Sequence, residues 1–457
     1  MHAERTRDST RRAVSIIVAA YLLLCIVLGG SAQGVWGNLA LQLLGIFLLV
    51  LAAAVPAAGK PARPAIAFFA LLLLGLVIVA VQLVPLPMAT WRHLPGRDSV
   101  ADGLGMLGYG SPALPISFTP YNSVMTLFAI IPAIAMFVAT VRLAPSARWL
   151  ALSVLIGTVF SIFLGALQVQ GGRESWAYLY RITNVGAVGF FANQNHMATL
   201  LLVSIPASAA ILGSAKMGPK SSAGRYATGA AILALILVGI GLNGSLAAFG
   251  LVLPVLIASM LLLPGTVRWR RLALPASLAA LLAAGALIAS APIAAASFQA
   301  EASTSVGSRA AIWKVTTEAI AETFPVGTGL GSFAQIYRQF ERPDRVTSEY
   351  VNHAHNDYLE LALELGLPGM ILISLFLLCW AIMAVRIWAS HSSTVFGRAA
   401  TIATAAILTQ SAVDFPLRTA AISAIFAASL ASMARQLDGE RTAAAGDFAR
   451  SRHVKLG

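Results

Sequence analysis

Two histidines and three acids stand close together between residues 350 and 370 of this 457-residue chain. His353 and His355 precede Asp357, Glu360 and Glu364, whose spacing places the three acids on one face of a helix. Histidine changes its charge near neutral pH and transfers protons in catalysis. The group therefore indicates acid–base chemistry with His355 and Glu360 as candidates. The alternative is an exposed, solvated helix face, and the spacing is not that of a standard zinc site.

The segment upstream of these histidines is predicted to form a helix over Ser308–Thr323, which ends before Pro325 because residues preceding proline leave the α region. Arg309 and Trp313 are four residues apart and share a face of that helix. Its apolar stripe is predicted to pack on the bilayer or on other helices. The glycine run of residues 325–332 is interpreted as a flexible turn, since no predicted strand precedes it as in a phosphate-binding fold.

Two further polar loops stand beside apolar runs. Asn193, Gln194, Asn195 and His196 are consecutive, and capping of a helix accounts for one asparagine but not for all four polar side chains. With the aromatic residues before them, they are typical of a sugar or head-group surface. The arginines of the loop 87–120, close to Trp91, are interpreted as solvated residues beside an interfacial aromatic anchor.

The composition of the chain indicates the environment in which these polar residues lie. The chain is 58% hydrophobic and only 11% charged, whereas soluble domains carry about a quarter charged residues. It is therefore an integral membrane protein, and its net charge of +13 indicates basic loops that fix orientation rather than binding to nucleic acid. Cys25 and Cys379 lie inside apolar runs, so no disulfide framework is predicted.

The fold class predicted from the apolar runs is all-α, a polytopic membrane helix bundle of about 12 transmembrane helices with a large helical periplasmic loop. The predicted spans cover residues 13–31, 35–57, 64–86, 121–141, 148–170, 196–215, 226–242, 246–264, 272–294, 367–388, 399–413 and 416–434. No acidic residue or lysine falls inside them, and their arginines, Arg148, Arg386 and Arg418, stand within three residues of a span end, so no charged site inside the membrane is predicted, which weighs against a charge-coupled transporter.

Loop charge predicts the orientation. With the N-terminus in the cytoplasm, every cytoplasmic connection is basic and most of the 18 acids lie outside, as the positive-inside rule requires. The predicted organisation is residues 1–294 with nine helices and two shorter periplasmic loops, 295–366 as the large periplasmic loop with the catalytic motifs, 367–435 with three helices, and 436–457 as a disordered basic cytoplasmic tail. The predicted location is the bacterial inner membrane.

An ordered set of motifs over roughly residues 186–385 resembles the bacterial O-antigen ligase and Wzy-type polysaccharide polymerase superfamily. The motifs are Asn193-Gln-Asn195-His196, Ser308-Arg309 with Trp313, the glycine run after Pro325, the His355-Asn-Asp-Tyr-Leu-Glu360 stretch with Glu364 and Gly369, and the Asp414-Phe-Pro-Leu-Arg418 turn. Many members of that superfamily carry a Ser-Arg pair after the seventh span. Here Ser245 is followed by Leu246, so that arginine is missing.

The resemblance implies an inverting glycosyltransferase that transfers a glycan from undecaprenyl diphosphate to an acceptor hydroxyl at the periplasmic face, without cofactor or metal. Its implied partners are the undecaprenyl-diphosphate-linked oligosaccharide, a glycan or lipid acceptor, membrane lipids and other polysaccharide export proteins. Polymerisation of the repeat units of a surface polysaccharide or exopolysaccharide is favoured slightly, because no feature dedicated to a lipid A acceptor is visible.

Roles follow from the matching positions. His355 corresponds to the loop histidine and is the candidate base, and Glu360 either orients it or acts as the base itself. Arg309 and Arg181 correspond to the arginines that bind the diphosphate. Seven other residues are predicted to contact the glycan or other parts of the substrate, namely Asn193, Asn195, His196, Trp313, His353, Asn356 and Asp357.

Two alternative functions remain open at this point. A ligase that transfers the glycan onto lipid A core uses the same chemistry with a different acceptor. A transporter or flippase of lipid-linked glycan is a different class of protein, and it predicts charged residues within the membrane that line a cavity.

Overall fold

The computed structural model describes residues 2–32, 34–57, 59, 63–180, 186–214, 222–263, 292–341, 343, 346 and 351–437. These residues are almost entirely helical, as predicted. In chain order the helices are α1 His2–Leu28, α2 Trp36–Ala54, α3 Arg63–Gln82, α4 Met88–Trp91, α5 Asp98–Met106, α6 Pro120–Ala129, α7 Ile131–Leu143, α8 Ala147–Gly171, α9 Gln194–Ser214, α10 Ser222–Asn243, α11 Leu246–Met260, α12 Pro292–Thr323, α13 Phe333–Phe340, α14 Asp357–Ala389, α15 Val395–Gln410 and α16 Ala420–Leu437. Two short strands, β1 Pro85–Leu86 and β2 Leu114–Pro115, pair antiparallel.

Nine spans in the described part of the chain are long and apolar enough to cross a membrane, with α6 and α7 counted as one. The chain is therefore a multi-pass membrane protein. The predicted eighth and eleventh spans correspond to α11, with 15 residues, and α15, with 16, which are shorter than the roughly 20 residues of a typical span. The predicted ninth span, 272–294, lies almost wholly outside the described residues. The count of about twelve thus stays a prediction.

The bundle is organised around α9, which packs against α8, α10, α11 and α15. Most of this helix is buried, and its Ser and Ala residues permit close approach of neighbouring helices. Ser204 and Ser208 donate hydrogen bonds to backbone carbonyls within the same helix, so their hydroxyls are satisfied inside the apolar core. The polar N-terminal turn of α9 is thereby fixed at one end of the bundle.

A second apolar cluster builds a layer over that end of the bundle. It joins α12, α13 and the segment that leads into α14 through Ile312, Phe333, Ile336 and Leu363, all of them buried. The helix predicted over Ser308–Thr323 is confirmed, although α12 starts earlier, at Pro292. Its apolar stripe packs on other helices, which resolves the two options left by the sequence.

Helix α14 has a kink at Gly366, where this residue has φ 62° and ψ −149°. The glycine run packs directly against it, and Thr328 and Gly329 donate their backbone N–H groups to the carbonyls of Leu363 and Glu364 at 3.0 and 2.8 Å. A side chain at Gly366 would collide with the backbone of Pro325. The prediction of a flexible turn was therefore wrong, because the run forms a buried contact.

The loop between α3 and α6 is fastened to the same contact by Arg97. This side chain is fully buried and donates to the carbonyls of Pro95, Ile116 and Gly327 at 2.6 to 2.8 Å. Burial lowers the pKa of Arg97 to about 10. Trp91 is also buried and donates to Pro115. The interpretation of the loop arginines as solvated was wrong for Arg97, whose hydrogen bonds connect two loops.

Candidate functional site

Arg418 is the centre of a buried cluster at the N-terminal end of α14. Its guanidinium lies 3.1 Å from Glu364, 3.2 Å from Glu360 and 3.5 Å from Asp357. Burial would lower the pKa of Arg418, but the three carboxylates outweigh it and raise that pKa above its usual value. The predicted common face of the three acids is confirmed. The alternative of an exposed, solvated face was wrong, because the three acids are buried and the face binds an arginine from the turn before α16.

His353 forms a pair with Glu360. Nδ1 of His353 lies 2.8 Å from Oε1 of Glu360, and the backbone N–H of Ala354 donates to Oε2 at 2.8 Å. Since Arg418 also contacts Oε1, the carboxylate accepts hydrogen bonds through both of its oxygens, and its side chain is only 1% exposed. Glu360 is therefore placed to orient His353 and not His355.

His355 forms the second pair, with Asp414. Its Nδ1 lies 3.2 Å from Oδ1 of Asp414, which also accepts the backbone N–H of Phe415 at 2.9 Å. Burial would raise the pKa of Asp414, but the hydrogen bond from His355 and the charges of His355, His196 and Arg309 hold it below its usual range. The ionised carboxylate accepts hydrogen bonds only, so Nδ1 of His355 is the protonated nitrogen that faces it, and Nε2 is the nitrogen left for other partners.

The exposure of His355 suits a group that receives a proton. Its side chain is 27% exposed, and Nε2 has no hydrogen-bond partner among the described residues. The backbone at His355 has φ 48°, in the left-handed region that residues with a Cβ rarely adopt. The chain thus holds this imidazole in a strained position, with one nitrogen oriented by a carboxylate and the other directed away from it.

His196 approaches the same carboxylate from the first turn of α9. Its Nε2 lies 4.0 Å from Oδ1 of Asp414, and neither ring nitrogen has a hydrogen-bond partner among the described residues, although the side chain is almost fully buried. Phe415 lies among the three imidazoles, with ring centroids 4.9 Å from His196, 4.1 Å from His353 and 5.0 Å from His355. The ring of Phe415 therefore separates and orients the three histidines.

Arg309 and Trp313 on α12 complete the described site. The charge of Arg309 acts on Asp414, and its side chain is partly exposed. Trp313 donates its indole N–H to the carbonyl of Ala354 at 2.9 Å, between the two histidines of the segment. This bond ties α12 to the histidine segment and sets Arg309, one turn earlier on the same face, beside the His355 pair.

The three asparagines predicted as substrate contacts have local partners. Oδ1 of Asn193 accepts the N–H of Asn195 at 2.8 Å, and Oδ1 of Asn195 accepts the hydroxyl of Ser245 at 2.7 Å. Asn356 caps α14 by accepting the N–H groups of Tyr358 and Leu359. Their amide oxygens thus position α9, α11 and α14, and their roles towards a substrate stay predictions.

Arg181 lies outside the described residues, so its predicted diphosphate contact stays a prediction. The other predicted site residues fall into two groups. His353, Asp357 and Glu360 belong to the Arg418 cluster, whereas His196, His355 and Arg309 surround Asp414. The glycan contacts of Trp313, His353 and Asp357 likewise stay predictions.

Asp414 and Arg418 were not among the predicted site residues. Both lie in the turn between α15 and α16, and each anchors one of the two groups. A signal was present in the sequence, since an acid and an arginine in a five-residue turn between two apolar runs are costly unless they are paired. The partners of that turn lie more than 50 residues away along the chain.

A family model described as O-antigen ligase matches residues 230–374. The matched region lies within the motif region predicted from the sequence, so the resemblance is confirmed. It includes Arg309, Trp313, both histidines of the segment and the three acids of α14. No curated protein sequence matches the chain.

Proposed function

We propose, because residues 230–374 match a family model described as O-antigen ligase, that the protein is a membrane glycosyltransferase that transfers a lipid-diphosphate-linked glycan to an acceptor hydroxyl at the periplasmic face. The observation that carries the proposal is the His355–Asp414 pair. It combines an imidazole nitrogen that is free among the described residues with a buried carboxylate that orients the ring. This is the arrangement of a general base.

In the proposed reaction, Nε2 of His355 accepts the proton of the acceptor hydroxyl. The acceptor oxygen bonds to the anomeric carbon of the donor glycan from the side opposite the diphosphate. The bond between that carbon and the diphosphate oxygen breaks, and its electron pair leaves with the lipid diphosphate. Asp414 stabilises the imidazolium that forms and keeps the ring orientation, so the configuration at the anomeric carbon inverts without a covalent enzyme intermediate.

Arg309 supplies the positive charge that the leaving group needs. A diphosphate gains negative charge as the glycosidic bond breaks, and arginine stays charged and makes bidentate contacts with phosphate oxygens. Among the described residues, Arg97 and Arg418 are engaged by protein groups, whereas Arg309 is partly exposed beside the proposed base. Arg181 is proposed as the second diphosphate ligand on the basis of its position in the family motif.

Glu360 is proposed to orient His353 rather than to act as the base, since both of its oxygens are occupied. His353 is 18% exposed and lies beside His355, which suits contact with a sugar hydroxyl of donor or acceptor. The buried Arg418 cluster then holds the end of α14 in place, so that the two histidines precede a rigid helix.

The acceptor distinguishes two forms of this function. The sequence slightly favours a polymerase that extends a glycan repeat by repeat, whereas the description of the matched family favours a ligase that transfers the finished chain. Gel analysis of surface glycan in a strain that lacks the protein separates them. Single repeat units in that strain indicate a polymerase, and unattached long chains indicate a ligase.

The proposal is tested by transfer in vitro with the purified protein and a lipid-diphosphate glycan. His355→Ala and Arg309→Ala should insert in the membrane normally and fail to transfer glycan. Arg92→Ala is a matched control, because this arginine is half-exposed on another loop and pairs with Asp102 at 3.5 Å. Normal product from the His355 variant would overturn the mechanism.

A further inference from the structure

A cavity of about 780 Å³ opens between α3 and α14, away from the histidines. Its walls come from the first two turns of α3 and the last three turns of α14, with Leu437 of α16 at one side. Most of the wall is apolar, and two arginines lie on it.

The cavity lies at the membrane face opposite the functional site. Helices α3 and α14 pack side by side, and at the histidine end Gln82 of α3 donates to the carbonyl of Glu364 at 2.9 Å. Further along, the rings of Phe68 and Phe376 are 5.5 Å apart. Arg63 begins α3 and Arg386 stands in the last turn of α14, so both belong to the other end of the pair.

The two arginines lack protein partners in the described part of the chain. Both side chains are exposed, and neither has an ion pair or hydrogen bond there. A cavity of this volume is within the range of small-molecule sites, which are mostly apolar with a few polar groups that fix orientation. Here the polar groups are cations at the end of two candidate membrane spans, where lipid phosphates lie.

We propose that this cavity binds one anionic phospholipid. Its phosphate contacts Arg63 and Arg386, and one acyl chain lies along Phe68 and Met383 towards the middle of the membrane. Charge complementarity selects an anionic head group, and the apolar wall selects a lipid over a soluble phosphate. The site is separate from the proposed glycan transfer and does not depend on it.

The proposal is tested by native mass spectrometry of the full chain with defined lipids. We expect phosphatidylglycerol to bind about tenfold more tightly than phosphatidylcholine, since each arginine near a membrane surface contributes attraction to an anionic lipid. The double variant Arg63→Gln/Arg386→Gln should lose this preference. Arg148→Gln is the matched control, because Arg148 is exposed at the same membrane face but does not line the cavity.

A second variant separates lipid binding from folding. Ala67→Trp fills the cavity and keeps both arginines, so it should also lose the bound lipid while membrane insertion is unchanged. Cys379 lines the cavity and Cys25 is fully buried, so phosphatidylglycerol should slow alkylation of the chain by N-ethylmaleimide. Equal binding of the two lipids, an unchanged preference in the double variant, or equal protection by soluble glycerol phosphate would each overturn the proposal.

Discussion

The two histidine–carboxylate pairs of this protein differ in what balances the carboxylate. Glu360, the partner of His353, is contacted by Arg418 at 3.2 Å and by a backbone N–H group. Asp414, the partner of His355, is balanced by imidazoles and by the more distant charge of Arg309. A carboxylate that is already paired with arginine gains little electrostatic stabilisation when its histidine becomes protonated. Asp414 gains more electrostatic stabilisation when His355 becomes protonated. The comparison supports the proposal that the first pair positions the substrate and the second transfers the proton.

Removing each histidine in turn is the most direct test of this difference between the two pairs. We expect His355→Ala to lower the transfer rate by about 10³-fold, within the usual range for loss of a general base. His353→Ala should lower it by about tenfold or less, because that ring is proposed to position the substrate and not to transfer the proton. Rates are measured in vitro with equal amounts of inserted protein. A larger loss from the His353 variant would reverse the two assignments.

Substitutions of the two anchoring residues should affect different properties, stability for Arg418 and transfer activity for Asp414. Arg418→Met leaves three buried carboxylates without their cation, and breaking a buried ion pair typically costs about 3–5 kcal/mol. Thermal unfolding in detergent should show a large decrease in Tm for this variant. Asp414→Asn should instead retain most of its stability and lose transfer activity, since the amide no longer fixes the imidazole tautomer.

Together these variants form a matched pair, because Asp414 and Arg418 lie in one turn, the first 1% and the second 15% exposed. If Arg418→Met unfolded at the wild-type temperature and lost only activity, the cluster would not be a structural anchor.

The depressed pKa of Asp414 predicts how the second pair responds to acid. Because the folded-state pKa lies below the ordinary value of about 3.9, its stabilising contribution is fully present above that value and is lost as pH falls through the folded pKa. The stability difference between wild type and Asp414→Asn should therefore not decrease as the pH falls from about 8 to about 5. Unfolding at a series of pH values checks this. A difference that disappeared near pH 6 would show that Asp414 is not held ionised.

The smallest effect is expected at the kink that holds the Arg418 cluster. Gly366→Ala requires a Cβ at φ 62° against the backbone of Pro325, and we expect a loss of about 1–3 kcal/mol. Gly250→Ala in α11 is the control, since a Cβ there meets open space and alanine is the better helix former. Urea or thermal unfolding measures both. Equal stability of the two variants would mean that the kink relaxes freely.

The features that were predicted correctly from the sequence depend on residues that lie close together along the chain. Hydropathy over about 20 residues identified the long helices, and spacing placed Asp357, Glu360 and Glu364 on one face, because both depend on residues within a few turns. The same local reasoning misjudged the exposure of these acids. Their cation, Arg418, is 54 residues from Glu364 along the chain.

The remaining errors have the same origin. Arg97 was predicted to be solvated because its neighbours in sequence are polar, yet one of its acceptors is the carbonyl of Gly327, 230 residues away. The glycine run was predicted to be flexible. Its contact with Gly366 depends on how α14 packs against it, which the local sequence does not show. Composition gives the cost of burying a charge, but it does not show which distant group compensates for it.

The backbone conformation of His355 has a practical consequence. Glycine and asparagine adopt φ 48° at a lower conformational cost than histidine does. The loop is therefore strained by the imidazole at this position, and another residue would relax it. His355→Gly should therefore be inactive and yet at least as heat-resistant as His355→Ala. Such a variant would hold the donor lipid without turning it over, which makes it the preferred starting material for capturing the enzyme with its substrate in place.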